Sequence, residues 1–239
     1  MPRRKIGTIL QARVGSTRLP GKVLKLLAGK PMIQWVIERL QVCQRPDILI
    51  LATSGESQDD PLVKLAQKLN VYVFRGSEHD VLDRYYQCAC IYELSDIVRA
   101  TGDNPFVDPE ECDRLIDFYQ NKHLDYATVV TGNEYGYPLG VGVEIFSFSS
   151  LEKSWQGGKK PHHREHVNEY ILENPGVFRQ AKMTAPPEKC APELSLTVDL
   201  QKQFIEAEKL YVSCLKHKPS QLVSVEWVIK NLKKQNERL

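Results

Sequence analysis

The first half of the chain alternates short β-rich runs with amphipathic helical patterns, and this alternation restricts the possible folds more than any other feature. Between the β-rich runs, apolar residues recur at helical spacing after Pro31 and after Pro61. Strands that alternate with helices form βαβ units, which predict an α/β fold with a mostly parallel sheet covered on both faces. The predicted strands of this half are 6–12, 47–53, 71–74, 96–101 and 125–131.

The second half carries weaker patterns of the same two kinds, without a repeat, a low-complexity tract or a linker. Its β-rich runs predict strands at 141–148, 176–183 and 194–198. Its helical patterns predict helices at 163–174, 201–217 and 224–235. We therefore expect one domain, with residues 132–195 forming a partly separate lobe over the edge of the sheet.

The composition excludes several classes of protein. The net charge of +2 lacks the strong basic excess of nucleic-acid-binding domains. No apolar stretch approaches the ~20 residues that span a bilayer, so we expect a soluble cytoplasmic protein that binds neither nucleic acid nor membrane. Scattered cysteines with no C-x-x-C pair favour reduced structural thiols, at Cys43, Cys88, Cys90, Cys112, Cys190 and Cys214.

A basic loop follows the first predicted strand. In QARVGSTRLPGK, Arg13, Arg18 and Lys22 bring positive charge with no acid in the segment, and the glycines let backbone N–H groups converge on an anion. In parallel sheets, ligands bind beyond the carboxyl ends of the strands, where this loop belongs. The loop therefore predicts a polyphosphate site. It is not a P-loop, because the glycine spacing is one residue too long and Val23 replaces the magnesium-binding Ser or Thr.

Two aspartates are candidate ligands for a metal ion. Asp103 in TGDNPFVDP follows a predicted strand, and Asp199 closes the apolar run LSLTV. Mg²⁺ prefers one or two carboxylates together with phosphate oxygens, so the pair fits nucleotidyl transfer. Each also has a simpler interpretation, Asp103 as a turn residue and Asp199 as the cap of the next helix.

Two further segments contain candidate contacts. In FRGSEHDVLDRYY, Asp80 suits a helix N-cap, while Arg75 and Ser77 are predicted at the binding edge, where they would contact a base or its ribose. The segment HHREH, 162–166, has the H-x-x-E-H order of some zinc peptidases. Pro161 and the glycines before it place a helix start there, so contacts of 164–166 with a substrate, or a solvated helix start, are better interpretations than zinc.

These segments match a known family. QARVGSTRLPGKVL, FRGSEHDVLDRYY, TGDNPFVDP, REHV and TVD occur in the order seen in cytidylyltransferases. Over residues 6 to about 210 the chain resembles the spore coat polysaccharide biosynthesis protein F group, related to acylneuraminate and 3-deoxy-manno-octulosonate cytidylyltransferases. The resemblance implies the nucleotide-diphospho-sugar transferase fold, which is Rossmann-like and of GT-A type, with a small second lobe. It also implies a Mg²⁺-dependent reaction in which CTP and the hydroxyl of an acidic, sialic-acid-like sugar give CMP-sugar and pyrophosphate.

The resemblance implies three groups of site residues. The nucleotide would contact Ala12, Arg13, Gly15, Ser16, Arg18, Lys22, Arg75 and Ser77. The acceptor would contact Tyr137, Glu144, Arg164, Glu165 and His166. The metal would be held by Asp103 and Asp199, and catalysis would depend on Arg13, Lys22 and Asp103.

The resemblance also divides the single domain, 1–239, into three parts. Residues 1–131 would bind the nucleotide, 132–195 would bind the acceptor and contribute to a possible homodimer, and 196–239 would supply a returning strand and the last helices. One position departs from the family pattern. Gly142 stands where many members carry an aspartate, and a carboxylate lost near the acceptor would change which sugar fits.

Two other functions remain open at this stage. A GT-A-type glycosyltransferase would use a nucleotide sugar on a similar fold, but Asp103-Asn104-Pro105 lacks the second acid of a D-x-D metal motif. A nucleotide-binding protein without catalysis is the other alternative. The charged positions of the motifs are all present, which favours an enzyme.

Overall fold

A seven-stranded mixed sheet forms the centre of the structure, a computed structural model that describes residues 4–217 and 222–236. The sheet order is β5-β4-β1-β6-β8-β7-β9, and β8 is antiparallel to both of its neighbours while the other pairs are parallel. Its strands are β1 (Ile6–Gln11), β4 (Ile48–Ser54), β5 (Tyr72–Gly76), β6 (Asp96–Thr101), β7 (Tyr126–Val129), β8 (Glu144–Ser147) and β9 (Gln180–Met183). A separate two-residue hairpin is formed by β2 (Leu26–Leu27) and β3 (Lys30–Pro31).

Helices cover both faces of the sheet because successive strand residues point to opposite sides. Leu10 and Val98 belong to one apolar cluster, and their neighbours Ile9 and Ile97 belong to a second. The first cluster includes α1 (Met32–Gln41), α2 (Asp60–Lys68), α4 (Pro109–Asn121), α8 (Gln201–His217) and α9 (Val225–Asn236). The second includes α3 (Val81–Ile91), α5 (Phe148–Gly157) and α7 (Glu169–Glu173), and the short α6 (Pro161–Glu165) lies beside α3.

The structure confirms the α/β class and the mostly parallel sheet, and it corrects two predicted elements. The run 194–198 is not a strand, because its backbone hydrogen bonds are divided between Leu139 and Asp103 instead of following one partner. The helix predicted over 163–174 is two helices, α6 and α7, separated where His166 takes an extended conformation (φ −114°, ψ 108°).

The segment 132–195 has no sheet of its own within the described residues. It inserts β8 between β6 and β7, adds β9 at the edge, and places α5 and α6 beside α3 on the second face, with α7 against α5 and α6. Its assignment as a lobe for the acceptor and for a homodimer stays a prediction, as does the threefold division of residues 1–239. Residues 1–3, 218–221 and 237–239 of that division lie outside the described residues. Among the described residues, no helix is long and apolar enough to cross a bilayer.

A buried lysine joins the start of α4 to the C-terminal helix. Lys189 is 3% exposed, and its ammonium lies 2.9 Å from Asp108, 2.9 Å from Glu110, 3.2 Å from Glu111 and 3.1 Å from Glu226. Burial disfavours the charged lysine, but hydrogen bonds and attraction from these carboxylates outweigh it and raise the pKa of Lys189. Of the four carboxylates, Asp108 and Glu111 are buried, so their charges depend most on the ammonium.

We expect Lys189→Met to destabilise the fold strongly. The substitution keeps most of the volume but removes the ammonium that pairs with Asp108, which is 4% exposed, and leaves the equally buried Glu111 with Arg114 alone. Removing one partner of a buried ion pair costs about 3–5 kcal/mol. Urea unfolding followed by circular dichroism measures the loss, and Lys202→Met, at a lysine whose side chain is 86% exposed, should change the free energy of unfolding little.

Candidate active site

A cleft of about 910 Å³ opens at the carboxyl ends of β1 and β6. Its size suits a nucleotide together with a second small molecule. The basic loop forms one wall and the residues after β6 form the next, because parallel strands end at a common edge. The described residues that line it fall in 11–18, 22–23, 99–104, 126–131, 139–144, 165–172, 182 and 197–199.

A buried carboxylate fixes the start of the basic loop. Asp59 is fully buried and accepts four hydrogen bonds, from Val14 N at 2.7 Å, Thr53 Oγ1 at 2.9 Å, Ser54 N at 3.1 Å and Ser54 Oγ at 2.5 Å. Burial opposes ionisation of Asp59, but the hydrogen bonds outweigh it and lower the pKa of this carboxyl. The loop after β1 is therefore tied to the end of β4 by a charged acceptor.

The cation at the end of the loop joins three segments. Lys22 is 8% exposed, and its Nζ donates to Asp103 Oδ2 at 3.1 Å, to Asp199 Oδ1 at 2.8 Å and to the Val198 carbonyl at 3.0 Å. These three bonds use all the N–H donors of an ammonium group. Two aspartates that lie far apart in the sequence therefore converge on one point.

Asp103 is held in its ionised form. Burial raises the energy of the charged carboxylate, but the charge of Lys22 and hydrogen bonds from Thr101 and Lys22 outweigh burial and lower the pKa of Asp103. The Thr101 hydroxyl lies 2.7 Å from Oδ1. Arg18 adds a second cation, since its Nη2 lies 2.9 Å from Asp199 Oδ1 while its side chain is 64% exposed. The mouth of the cleft thus combines ionised oxygens with an accessible guanidinium.

The inner part of the cleft is lined by a row of polar side chains across four strands. Arg99, Glu144, Thr128 and Lys182 are paired in register on β6, β8, β7 and β9 and line the same cavity. Arg99 Nη1 donates to Glu144 Oε2 at 3.0 Å, and Asn168 Nδ2 donates to Glu144 Oε1 at 2.8 Å. Glu144 is therefore fixed at both oxygens, whereas Lys182 is exposed at the end of the row.

Comparison with known proteins assigns the chain to a family. The family model described as cytidylyltransferase matches residues 8–237. The chain belongs to the cytidylyltransferase family.

Relatives of this cytidylyltransferase cover most of its length. It is 41% identical over 214 residues to protein MJ1063 of Methanocaldococcus jannaschii, covering 89% of this chain and 84% of the relative. It is 36% identical over 208 residues to the spore coat polysaccharide biosynthesis protein SpsF of Bacillus subtilis, covering 85% of each. A solved cytidylyltransferase structure from Leptospira borgpetersenii superposes with a TM-score of 0.86 at 32% identity, covering 98% of this chain and 96% of that one.

These matches confirm the resemblance and the fold read from the sequence. The protein is a nucleotidyltransferase with the nucleotide-diphospho-sugar transferase fold. Family membership favours this activity over the glycosyltransferase and over the non-catalytic nucleotide-binding protein. The roles of individual residues are not settled by the match, and they depend on where the structure places each side chain.

Most of the predicted site residues of the cytidylyltransferase line the cleft. Two predicted sets are brought together there, the phosphate loop with its two aspartates and part of the acceptor set. The predicted residues at the cleft wall are Ala12, Arg13, Gly15, Ser16, Arg18, Lys22, Asp103, Glu144, Glu165, His166 and Asp199.

Arg75 and Ser77, predicted to contact the nucleotide, lie outside the cleft wall that the described residues form. Arg75 donates to the carbonyl oxygens of residues 54–56 and to Asp60 Oδ1, so its guanidinium holds the turn after β4. Ser77 Oγ accepts from the N–H of Asp80 at 3.0 Å, just before α3. In this structure both side chains stabilise backbone rather than facing a ligand.

Tyr137 and Arg164, predicted to contact the acceptor, are also directed elsewhere. The Tyr137 side chain is buried, and its hydroxyl contacts Glu111 and Arg114. Arg164 donates to Asp80 Oδ2 from Nε at 2.8 Å and from Nη2 at 2.5 Å, which links α6 to the N-cap of α3. The four displaced residues share a cause, since each finds a nearby carboxylate or backbone group that the sequence pattern does not reveal.

Gly142 lines the cleft, but the Val129 side chain leaves no room for a Cβ there. A Cβ at this position would lie 2.2 Å from Val129 Cγ2, a distance that real contacts do not reach. The aspartate that many family members carry would therefore require Val129 or the chain itself to move. The glycine is accounted for by this close approach.

Sequence reasoning missed Arg99, Asn168 and Lys182. The signal for Arg99 was available, because a charge inside the apolar run DIVRAT requires a buried partner. Glu144 in VGVEIF carried the same signal, and the two charges are paired on adjacent strands. No comparable signal marks Asn168 or Lys182, whose positions depend on the helix break and on the register of β9.

We expect Asp59→Asn to weaken both the fold and binding at the basic loop. An amide places donors against the hydroxyl and N–H groups of residues 53–54, so the loss should be about 1–3 kcal/mol, as for unsatisfied buried groups. The folded-state pKa of Asp59 is lowered, so its contribution is present above the ordinary value of 3.8 and is lost as the pH falls through the lower folded value.

The difference in unfolding free energy between wild type and Asp59→Asn should therefore be largest near neutral pH and shrink below about pH 4. Urea titrations at several pH values measure it. Asp60→Asn, at a neighbouring side chain that is 48% exposed, is the matched control and should show a smaller difference. A pH-independent difference between Asp59→Asn and wild type would contradict the assignment.

Proposed function

We propose that this cytidylyltransferase transfers CMP from CTP to a hydroxyl of an acidic, sialic-acid-like sugar and releases pyrophosphate, in the synthesis of a surface polysaccharide. The observation that carries the proposal is the convergence of the basic loop with Asp103 and Asp199 across one cleft. Similarity to SpsF, named for spore coat polysaccharide biosynthesis, supports the biological setting.

The residues at the mouth fit a divalent metal ion. Asp103 and Asp199 are carboxylates that converge on one point, and Asn104 Oδ1 is buried nearby with no hydrogen-bond partner among the described residues. An all-oxygen donor set of this kind suits Mg²⁺, which completes its shell with phosphate oxygens. When bound, the ion would supply charge stabilisation for the phosphate groups. We assign Asp103 and Asp199 as its protein ligands.

The cations of the loop have different roles in this proposal. Arg13 and Arg18 face the cleft with exposed guanidinium groups, and they would bind phosphate oxygens directly. Lys22 already donates to three protein oxygens, so it would position the two aspartates and add its charge to the site. Gly15 and Ser16 bring backbone and hydroxyl groups to the same wall, and the Ala12 backbone would approach the base.

In the chemical step, the acceptor hydroxyl attacks the α-phosphorus, and the new O–P bond forms as the bond to the pyrophosphate oxygen breaks. The hydroxyl proton is lost to solvent, and negative charge grows on the oxygens of the leaving pyrophosphate. Arg13 and Arg18 would stabilise that charge from fixed positions, which is the main protein contribution to phosphoryl-type transfer. The row Arg99–Glu144–Thr128–Lys182 would orient the acceptor, with the Lys182 ammonium toward its acid group and Glu165 and His166 alongside.

We expect Asp103→Asn to abolish most turnover without unfolding the protein. The amide keeps the shape of the side chain but replaces a negatively charged ligand of the proposed metal ion with a neutral one. Losing one preorganised charge contact costs roughly 100-fold or more in kcat. Release of pyrophosphate from CTP, measured with a panel of acidic sugars, gives the rate. Near-wild-type release by Asp103→Asn would refute the proposed role.

Asp117→Asn is the matched control for this experiment. Asp117 lies on α4, is 42% exposed, and pairs only with Arg45 among the described ion pairs. The same change from acid to amide there should leave the rate of pyrophosphate release unaltered. Thermal unfolding of both variants separates a loss of chemistry from a loss of fold.

The choice of CTP has its own test. A ligand that binds only the native state raises the melting temperature, and the rise grows with the logarithm of the ligand concentration relative to its dissociation constant. With Mg²⁺ present, we expect CTP to raise the melting temperature more than ATP, GTP or UTP at the same concentration. An equal shift with another nucleoside triphosphate would show that the donor is not specifically CTP.

A further inference from the structure

Outside the mouth of the cleft, two imidazoles and one carboxylate converge where α6 meets α7. His162 Nε2 lies 2.7 Å from Glu173 Oε1, and His163 Nε2 lies 3.0 Å from Glu173 Oε2. One ligand atom from each of the three side chains lies within 4.8 Å of the other two. Asp103 and Asp199 take no part in this cluster, which lies on different elements of the fold.

We propose that His162, His163 and Glu173 form a binding site for a divalent transition-metal ion of the Zn²⁺ type. Two imidazole nitrogens with one carboxylate are donors that suit zinc, whereas Mg²⁺ and Ca²⁺ prefer oxygen throughout. Zinc bound by three protein ligands keeps a fourth position for water. The proposal is independent of the nucleotidyl transfer proposed above.

The geometry needs little rearrangement to accept the ion. Bond lengths of about 2.0–2.2 Å place neighbouring ligand atoms of a tetrahedral zinc site roughly 3.3 Å apart. The two nitrogen–oxygen distances, 2.7 and 3.0 Å, are close to this spacing but involve different carboxylate oxygens. One carboxylate, that of Glu173, therefore already lies between both rings. The three ligand atoms lie within 4.8 Å of one another, so small side-chain rotations would bring them around one ion.

The histidine rings are already held in place. His163 is 3% exposed, and its ring packs edge-on against Tyr170, with 5.4 Å between ring centroids. His162 and His163 are adjacent in α6, and their rings lie 4.3 Å apart at a steep angle. Preorganised ligands lose less conformational freedom on binding, which favours the metal-bound state.

Two features predict that the bound ion exchanges with ions in solution and is not held permanently. Lys160 Nζ lies 3.1 Å from Glu173 Oε2 and competes with the metal, although its 63% exposed side chain can turn to solvent. The Nδ1 of His163 is buried with no hydrogen-bond partner in the described part of the chain. Metal-binding histidines usually donate this second N–H to a partner, and its lack weakens the site.

A metal ion at this site would affect the cleft through the segment between its ligands. Glu165, His166 and Asn168 line the cleft, and they lie between His163 at one end and Glu173 at the other. An ion joining α6 to α7 would fix this segment and with it one wall of the cleft. His162, His163 and Glu173 are not the set of residues in the H-x-x-E-H pattern of the sequence. Glu165 and His166 of that pattern line the cleft.

The test uses the untagged full chain, freed of metal with a chelator and titrated with Zn²⁺ by calorimetry. With excess Mg²⁺ present to occupy the carboxylate site of Asp103 and Asp199, we expect one Zn²⁺ ion per chain, and tetrahedral Co²⁺ absorption when Co²⁺ replaces Zn²⁺. His162→Ala and Glu173→Gln should each weaken binding at least tenfold. Lys160→Met should strengthen it, because it removes the competing ammonium from an exposed position that the fold does not need.

His79→Ala and His166→Ala are the matched controls, and neither should change the affinity. His79 is 90% exposed, and His166 tests the H-x-x-E-H alternative. The proposal is overturned by no stoichiometric Zn²⁺ binding, by affinity that is unaltered in His162→Ala and Glu173→Gln, or by competition from excess Mg²⁺. Because Lys160→Met is expected to gain affinity, the proposal stays falsifiable even where a loss variant folds poorly.

Discussion

The ammonium of Lys22 is the interaction on which the cleft depends. It holds the end of the basic loop, the turn after β6 and the chain before α8 at a single point, through three hydrogen bonds of 2.8–3.1 Å. Without that cation, two carboxylates would repel each other at the mouth of the cleft, where burial leaves little water to screen them. The same ammonium keeps Asp103 ionised, so the fold prepares an oxygen-rich site as a consequence of its own packing.

Charged groups in partly or fully buried positions connect segments of this molecule at several points. Asp59 accepts bonds from two strand ends, Lys189 is surrounded by carboxylates, and Arg99 is paired with Glu144 beneath the cleft. Each of these charged groups connects segments that are far apart in sequence. Apolar contacts alone would position those segments less specifically. Such pairs also make the fold sensitive to substitution, because removing either member leaves an uncompensated charge in a poorly hydrated place.

The sequence predicted the βαβ core and the edge where ligands bind, because hydrophobic periodicity and turn chemistry are local properties. It also identified Asp103 and Asp199 as a pair of metal ligands, although Asp199 does not follow a strand of the sheet. It failed where partners come from distant segments. Arg164 was expected at the acceptor but pairs with Asp80, and the run before Asp199 resembles a strand in composition yet divides its hydrogen bonds between two neighbours.

The reversed strand at the middle of the sheet has a consequence for the nascent chain. Within the described residues, β7 pairs only with β8 and β9, and both are synthesised after it. The first four parallel strands can assemble as soon as they leave the ribosome, but β7 has no place in the sheet until β8 has docked against β6. The chain must therefore be synthesised as far as β8 before β7 can join the sheet, and as far as β9 before that edge of the sheet is complete.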